Sequence, residues 1–562
     1  MLATAKYSIA GRSRGGVDWR RRSFIFIALL LASFAVMPVL VLSLAWLDSQ
    51  GEVWQHLADT VLSRLLLNTL ILVVGVGVGV LLLGVGLAWL VTSVEFPGRR
   101  FFERALMLPF AMPAYVLAFV MLETFDYAGP VQTFLRDVWP SLFGASFSGF
   151  SGRQPWLVVL CLVLVFYPYV YLLARSAFIA RNPIFLEQAR VLGVSARMRF
   201  WRVTLPMARP AIVAGLVLAL METLADFGAV SVFNFETFTT AIYKSWYGLF
   251  NLGAAAQLAS TLLVLVLLLM ALERYGRGRA RYVQSSSQAL PRKVVSRFRG
   301  WALTALLSFI LSLAFVWPVL RLLQWVWQQG LAGFDQHYFG LLSNTLVLGI
   351  GAALLTVTLA WCLAHARQRY AGVVTAVAAR IATLGYALPG SVLAVGILFS
   401  FIAVDHWVAD WFSWPPILMG SWIGLLLAYL VRFIAVAFGP VEAAYAQLRP
   451  VLLEVTRTLN VTRWYVLRRL YLPLLAPGLS AAVLLVMIDV MKEMPATLLL
   501  RPFGADTLAV RIYAMTSEGL WEKAALPALT LVLVGLLPVM LLMRERPRKS
   551  SDAEDGLAHP PV

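Results

Sequence analysis

Charge is what this chain has least of. Asp, Glu, Lys and Arg make up 13% of its 562 residues, and acids are the scarcer sign, 28 against 46 basic residues. With 60% of the residues hydrophobic, so much apolar surface cannot be hidden in a soluble fold, which excludes ordinary globular classes and points to an integral membrane protein. Cysteine is nearly missing: Cys161 and Cys362 are the only two, and both fall inside apolar runs, which argues against a disulfide framework or a thiolate metal site. The five His are scattered without ligand spacing. No Gly-x4-Gly-Lys-Ser/Thr phosphate loop, nucleophile elbow or zinc motif is present. The expectation is a non-catalytic chain that carries no motor and binds no cofactor of its own.

Twelve apolar runs are each long enough to cross a bilayer as a helix: 23–47, 66–92, 104–122, 156–178, 210–232, 254–272, 301–325, 341–364, 381–404, 417–437, 477–499 and 524–543. The first is longer than a signal-peptide core and lacks a small-residue cleavage site, so it reads as a retained helix. The net charge of +18 is not spread evenly. Basic residues crowd the N-terminal segment, seven Arg lie between Arg175 and Arg209, and eight basic residues lie between Arg274 and Arg299. The alternate loops 48–62, 326–340 and 405–416 contain no Lys or Arg. This positive-inside asymmetry predicts cytoplasmic termini and argues against nucleic acid as a partner.

The chain also repeats itself in order. Leu67-Asn68-Thr69-Leu70 returns as Ser343-Asn344-Thr345-Leu346, and Ala111-Met112-Pro113 returns as Ala387-Leu388-Pro389. Glu236-Thr237 with Ile242-Tyr243 returns as Asp506-Thr507 with Ile512-Tyr513. Near-constant offsets of 267 to 276 residues make chance improbable. The predicted fold is all-α and polytopic, about twelve transmembrane helices in two parallel six-helix repeats. The repeats span 1–272 and 301–546, joined by a cytoplasmic linker at 273–300 and followed by a disordered tail at 547–562. Gly75-Val76-Gly77-Val78-Gly79 lies within a span and reads as a close helix-packing surface.

The most informative repeat is a polar loop. Glu187-Gln188-Ala189, then Gly193, then Val203-Thr204-Leu205-Pro206 is matched 267 residues later by Glu454-Val455-Thr456, Asn460 and Leu470-Tyr471-Leu472-Pro473. Locally this predicts a short helix from Pro183 with Glu187 in its first turns, a positive-φ turn at Gly193, and a second helix broken by Pro206 and Pro210 as the next span opens. Asn460 is the next most tolerant residue for a left-handed turn. A duplicated loop on one membrane face suggests two docking points for a two-fold partner.

The acids inside the spans form a second matched set. Glu222 maps onto Asp489 and Asp226 onto Glu493 at the same 267 offset. The i, i+4 spacing places each pair on one helix face. Each first acid lies twelve residues beyond its proline, Pro210 or Pro477, about 18 Å along a helix axis. Intramembrane charges are functional candidates by default, and four carboxylates near a two-fold axis suit a hard cation and repel an anion. The structural alternative is that Lys492, Arg64 or Arg321 pairs with these acids to fix helix packing.

The Glu-x-Ala-x3-Gly-x9-hydrophobic-x-Leu-Pro spacing resembles the "EAA" loop of permease subunits of bacterial binding-protein-dependent ABC importers, and the resemblance covers nearly the whole chain as a fused pair of type I permease domains. It implies that the loop docks into a groove on an ABC ATPase subunit, with two copies of that cytoplasmic subunit as partners and ATP used there. By position the coupling residues are Glu187, Ala189, Gly193, Leu205 and Pro206, with Glu454, Asn460, Leu472 and Pro473. Val455, Thr456 and Asn460 depart from the pattern, which puts the equal strength of the two docking points in question. The stretches Met221–Lys244 and Lys492–Phe503 are similar to the ferric-iron branch of the family. That similarity implies import of Fe(III), delivered by a periplasmic ferric-binding protein, through the bacterial inner membrane. Glu222, Asp226, Asp489 and Glu493 would line the pathway and touch the metal only transiently. Exterior loops 123–155, 233–253 and 500–523, with Trp139, Trp246, Tyr247 and Trp521, are the expected receptor surface. Alternatives are another cargo (thiamine, a polyamine, an organophosphonate) or an ion-coupled secondary transporter, against which the duplicated loop argues.

Overall fold

In hydrocarbon every backbone N–H and C=O must find its partner within the protein, so apolar runs of this length fold as helices. The computed structural model describes residues 19–47, 51–143, 149, 151–180, 183–277, 292–370, 372–446, 448 and 462–543. Eleven of the described helices are long and apolar enough to cross a membrane, from Arg21–Leu44 to Trp521–Leu541. One further span is broken, Arg99–Ala111 and Ala114–Pro140 meeting at 93°. The runs expected at 104–122 and 381–404 are not single helices: each is interrupted at a proline, Pro113 or Pro389, and the second of these spans begins at Gly390.

The break has a local cause that both halves share. Leu108–Ala111 is a tight 3₁₀ turn, and Pro113, extended at ψ 141, opens the helix Ala114–Phe125. In the second half Thr383–Ala387 is the 3₁₀ turn, and Pro389 at ψ 143 opens Gly390–Phe412. Each proline lacks the N–H that would continue the incoming helix and has the φ that starts the next.

Other prolines do not break their helices. Ala196–Ala225 and Trp464–Lys492 run on as continuous helical segments, against the expectation that Pro206 and Pro210 interrupt the first of them. At three of these prolines, Pro206, Pro473 and Pro318, a wide π turn is placed just ahead of the ring. Phe200–Thr204 precedes Leu205-Pro206, Leu467–Tyr471 precedes Leu472-Pro473, and Ser312–Val316 precedes Trp317-Pro318. Shifting to i→i−5 bonding absorbs the missing donor and relieves the ring clash.

The helices expected over 210–232 and 477–499 stop short, at Ala225 and Lys492. A short second helix follows each, Gly228–Val232 and Pro495–Leu500. Asp226 and Glu493 therefore sit at the breaks, and the expectation that each i, i+4 pair shares one continuous helix face is corrected.

The two halves exchange their first helices. Trp19–Leu44 packs on Val373–Ala382, Gly390–Phe412 and Gln336–Arg369 of the second half, where Gly396 lets the chain approach Pro38 so closely that a Cβ would meet its carbonyl oxygen at 2.8 Å. In return the helices between Arg297 and Gln329 pack on the first half: Trp317 Nε1 donates to Thr124 Oγ1 at 3.3 Å, Thr304 Oγ1 donates to the Pro97 carbonyl at 2.7 Å, and Arg321 pairs with Glu123. A two-residue parallel bridge of Val94–Glu95 with Lys293–Val294 adds a backbone tie. The glycine run is a packing surface as expected: a Cβ on Gly79 would lie 2.3 Å from Val163 Cγ2, and one on Gly75 3.0 Å from Val159 Cγ1. These contacts join Ser63–Ser93 to Pro155–Ile179.

The remaining sequence repeats meet in space. Asn68 Nδ2 donates to the Glu236 carbonyl at 2.8 Å, and its counterpart Asn344 Nδ2 donates to the Asp506 carbonyl at 3.1 Å. Thr237 and Thr507 then cap the next helices, Phe238–Tyr243 and Leu508–Ser517. Each half is thus clipped by the same asparagine to the same turn.

Candidate functional site

The first polar loop folds as its residues dictate. Pro183–Val191 is helical, and Gly193 ends it at φ +73. The Val194 N–H reaches back to the Ala189 carbonyl and the Gly193 N–H to that of Arg190, both at 3.0 Å, which is the Schellman arrangement. Nothing lies within 4 Å of a Cβ built on Gly193, so the demand for glycine comes from the backbone angle alone. Ala189 is buried, while Glu187 is exposed. Glu187 is the fifth residue of the helix, past the first turn, so the helix dipole contributes little to it. Apolar side chains flank it in the open: Val191 is 87% and Leu192 81% exposed. A second arm opens at Ser195, whose Oγ accepts the Met198 N–H at 3.4 Å, and runs through Leu205 and exposed Pro206 into the span. In the second loop Glu454 and Asn460 lie outside the described residues, while Leu472 and Pro473, both exposed, begin the helix Leu472–Lys492.

The four intramembrane acids line a single cavity of about 160 Å³ between the halves. Its walls are built by matched elements. In the first half the helix ends at Ala225, and Asp226, extended at ψ 127, accepts the Val230 N–H on Oδ1 at 3.1 Å. In the second half the helix ends at Lys492, and Glu493, extended at ψ 116, accepts the Ala496 N–H on Oε1 at 3.0 Å. The Asp226 carbonyl accepts from Thr239 Oγ1 and the Glu493 carbonyl from Thr497 Oγ1, each at 2.7 Å. Both outer acids thus do capping work at a helix break. The inner acids differ in that Glu222 accepts a hydrogen bond from Tyr386 of the opposite half at 3.0 Å.

Two of the three expected basic partners are elsewhere. Arg64 pairs with Glu236, and Arg321 with Glu123. Lys492 does line the cavity, where its Nζ donates to the Phe110 carbonyl at 2.8 Å. Sequence reasoning missed Arg432, whose Nε lies 3.0 Å from Glu493 Oε2. A signal was available: Arg432 is a lone cation in the middle of the run 417–437, and an intramembrane charge is itself a flag. Among the described residues no three His, Cys, Asp or Glu come close enough together to hold a resident metal ion. The arrangement is a charged chamber: four acids and two cations on a shared wall, with a formal excess of two negative charges.

At the far end of these helices the Glu236 carboxylate takes two cations, Arg64 and Lys244, the latter at 2.6 Å. The Lys244 hydrogen bond in particular holds its carboxyl below the ordinary value. Aromatic rings from both halves gather beside it: Phe227 lies 5.1 Å from Tyr243 and 5.3 Å from Tyr513, and Trp246 stacks on Tyr247 at 5.6 Å. Trp521 is instead stacked on Phe119 at 6.2 Å, inside the helix packing.

Residues 80–281 and 356–545 each match the family described as binding-protein-dependent transport system inner membrane component. The Fe(3+)-transport system permease protein FbpB 2 of Haemophilus influenzae is 30% identical over 490 residues, 86% of this chain and 90% of that one. The sulfate transport system permease protein CysW of Escherichia coli is 30% identical over 226 residues, 38% of this chain and 72% of its own. The molybdenum transport system permease protein ModB of Escherichia coli is 31% identical over 168 residues, 30% of this chain and 70% of its own. With two copies of the domain in one polypeptide and a ferric permease matched along most of its length, the chain belongs to the binding-protein-dependent transport system inner membrane component family, as a fused two-domain, multi-pass protein of the inner membrane.

Proposed function

We propose that this chain is the permease subunit of an ATP-driven importer that takes Fe(III) from a periplasmic binding protein and passes it between its two halves to the cytoplasm. One observation carries the cargo assignment: Glu222, Asp226, Asp489 and Glu493 share one cavity at the interface of the halves, and their excess negative charge favours a hard cation. The match to a ferric permease over 86% of the chain supports the same reading. The loop around Glu187 supplies the coupling surface, since a rigid turn presents an acid beside exposed Val191 and Leu192. Two such loops would engage two ATPase subunits, where the nucleotide is bound; this chain itself holds no cofactor. The Arg-rich faces and termini then point to the cytoplasm, and the aromatic turns at 233–253 and 500–523 face the binding protein.

The test is uptake into proteoliposomes containing the chain with its cognate ATPase and binding protein, with Fe(III) challenged by other cargoes. ATP-dependent accumulation that only Fe(III) competes away is expected. Equal uptake of an unrelated solute, with no competition by iron, would overturn the cargo. Transport on an ion gradient with no ATPase present would overturn the importer class. A second reading, an oxyanion cargo, is favoured by Arg432 and Lys492 on the cavity wall and by the sulfate and molybdenum relatives; competition by sulfate or molybdate in the same assay would establish it.

A further inference from the structure

The cavity walls are related by the repeat but are not equivalent. At the 267 offset Arg432 stands where the first half has Val165, and Lys492 where it has Ala225; at the 276 offset Tyr386 stands opposite Phe110. All six of these residues line the cavity. Both cations come from the second half. Arg432 holds Glu493, only 5% of whose side chain is exposed. Lys492 stands three residues beyond Asp489 and bonds the Phe110 carbonyl across the interface. Among the described residues neither first-half acid makes a close ion pair, and the charges of Arg432 and Lys492 reach Glu222 only at longer range. Glu222 has a phenol, and Asp226 a backbone N–H.

Tyr115 adds an independent sign that a ligand belongs here. It is 7% exposed and lines the cavity, and its hydroxyl has no hydrogen-bond partner among the described residues. A buried hydroxyl without a partner is costly unless something visits it.

We propose that the two halves divide the work on the cavity. Glu222 and Asp226, with the phenol oxygen of Tyr386, form the subsite that receives a hard cation. The unpartnered Tyr115 hydroxyl lies across the cavity from it, on the side of Glu493. Arg432 and Lys492 are tethered counter-ions that keep this subsite weak. This rests on the reading of the cavity as a cation path. The physical need is clear. A pathway site must bind strongly enough to admit the ion and weakly enough to release it. Four unopposed carboxylates would hold a trivalent ion too tightly. Coulomb repulsion scales with the product of the charges, so two fixed positive charges weaken a trivalent ion far more than a monovalent one. The device selects against trapping while leaving oxygen donors in place.

The experiment titrates the purified full-length chain in nanodiscs with Tb(III), a hard trivalent probe whose luminescence is sensitised by nearby tyrosine. Lys492→Met keeps the side-chain volume and removes the charge; it should tighten Tb(III) binding by about tenfold, the scale of a typical coupling between sites. Arg432→Gln should act in the same direction, and Lys492→Arg, which keeps the charge, should not reproduce the tightening seen in Lys492→Met. Glu222→Gln with Asp226→Asn should abolish the sensitised signal even in the Lys492→Met background. In the reconstituted importer Lys492→Met should slow turnover while lowering the concentration needed for half-maximal uptake, a split that a packing defect would not produce. Unchanged or weaker Tb(III) binding in folded Lys492→Met, or a signal indifferent to Glu222 and Asp226, would overturn the proposal. These results are separable from cargo identity. Tb(III) behaviour as expected, together with uptake that iron does not compete for, would keep the subsite and reject iron.

Discussion

Across the cavity the two halves end their inner helices in the same way and charge them differently. Both stop one residue before an acid, both extend the backbone there, and both use that acid to cap the next short helix. Yet the second half adds Arg432 and Lys492 where the first has Val165 and Ala225. Backbone geometry is set by hydrogen-bond needs that both copies face equally. Side chains facing a cavity answer to whatever occupies it, and the two walls need not see the occupant alike. The polar loops differ in the same spirit, with Gly193 in one and Asn460 in the other.

The largest expected effect separates the two walls energetically. Arg432→Val leaves Glu493 buried without its cation and should cost about 3–5 kcal/mol, read as a lowered unfolding midpoint in detergent. Adding Glu493→Gln should recover much of that loss. If Arg432→Val costs nothing, the pair is not what distinguishes the second wall.

Replacing Glu222, Asp226, Asp489 and Glu493 by their amides should reduce iron uptake by tenfold or more, a change of at least about 1.4 kcal/mol. ATPase co-purification should be spared. Testing the pairs one half at a time shows which wall matters more, with the greater loss expected for Glu222 and Asp226. Normal uptake in the quadruple variant would return the acids to a capping role.

At the surface loops, Glu187→Lys combined with Glu454→Lys should weaken ATPase co-purification by about tenfold or more, the scale of a 1.4 kcal/mol change. Comparing the two single variants measures whether the loops are equal. An unchanged complex and unchanged transport would remove the docking role.

A smaller effect tests the turn. Gly193→Ala forces a Cβ onto φ +73 and should cost roughly 1 kcal/mol. Gly193→Asn, which copies the second loop, should cost less and keep the complex. If alanine and asparagine behave alike, the left-handed angle is not what both loops need.

The smallest effect lies at the paired turns. Glu236 is held by Arg64 and Lys244, whereas Asp506 has Arg501 at 2.9 Å. The folded state holds the Glu236 carboxyl below its ordinary value of 4.5. Its contribution is therefore complete above that value and lost as pH falls through the lower folded one. Being partly exposed, it should amount to under about 1 kcal/mol. Glu236→Gln should flatten this acid limb of the stability–pH curve, and a limb of unchanged steepness would assign the acid sensitivity elsewhere.

Much of the architecture was legible in residues. Runs of apolar side chains mark spans because lipid tolerates only a closed backbone. Internal repeats mark the two halves because duplicated structure keeps its turns: Asn68 and Asn344, and Pro113 and Pro389, recur in matching words, although the helix breaks at the two prolines, inside runs expected to be continuous, show only in the fold. The Gly193 turn was legible because its demand is local, a single backbone angle. The helix ends at Ala225 and Lys492 were not read, although Gly228 and the Lys492-Glu493 pair with Pro495 stand beside them, because the apolar runs resume directly beyond. The breaks are favourable only because Asp226 and Glu493 fold back to cap the short helices Gly228–Val232 and Pro495–Leu500.

Sequence alone determined the membrane class, the polytopic character with about twelve apolar runs, the duplication and the pairing of Glu222 with Asp489 and of Asp226 with Glu493, because each rests on composition, periodicity or spacing along the chain. Tertiary structure alone decided that the first helix of each half packs on the other, that all four acids share one cavity, and that Arg432 answers Glu493. Helices of uniformly apolar character carry no stripe to specify a neighbour, so their partners are chosen by shape, as where Gly396 admits Pro38. A charge on such a helix declares that it needs a partner, and only the packed molecule says which one.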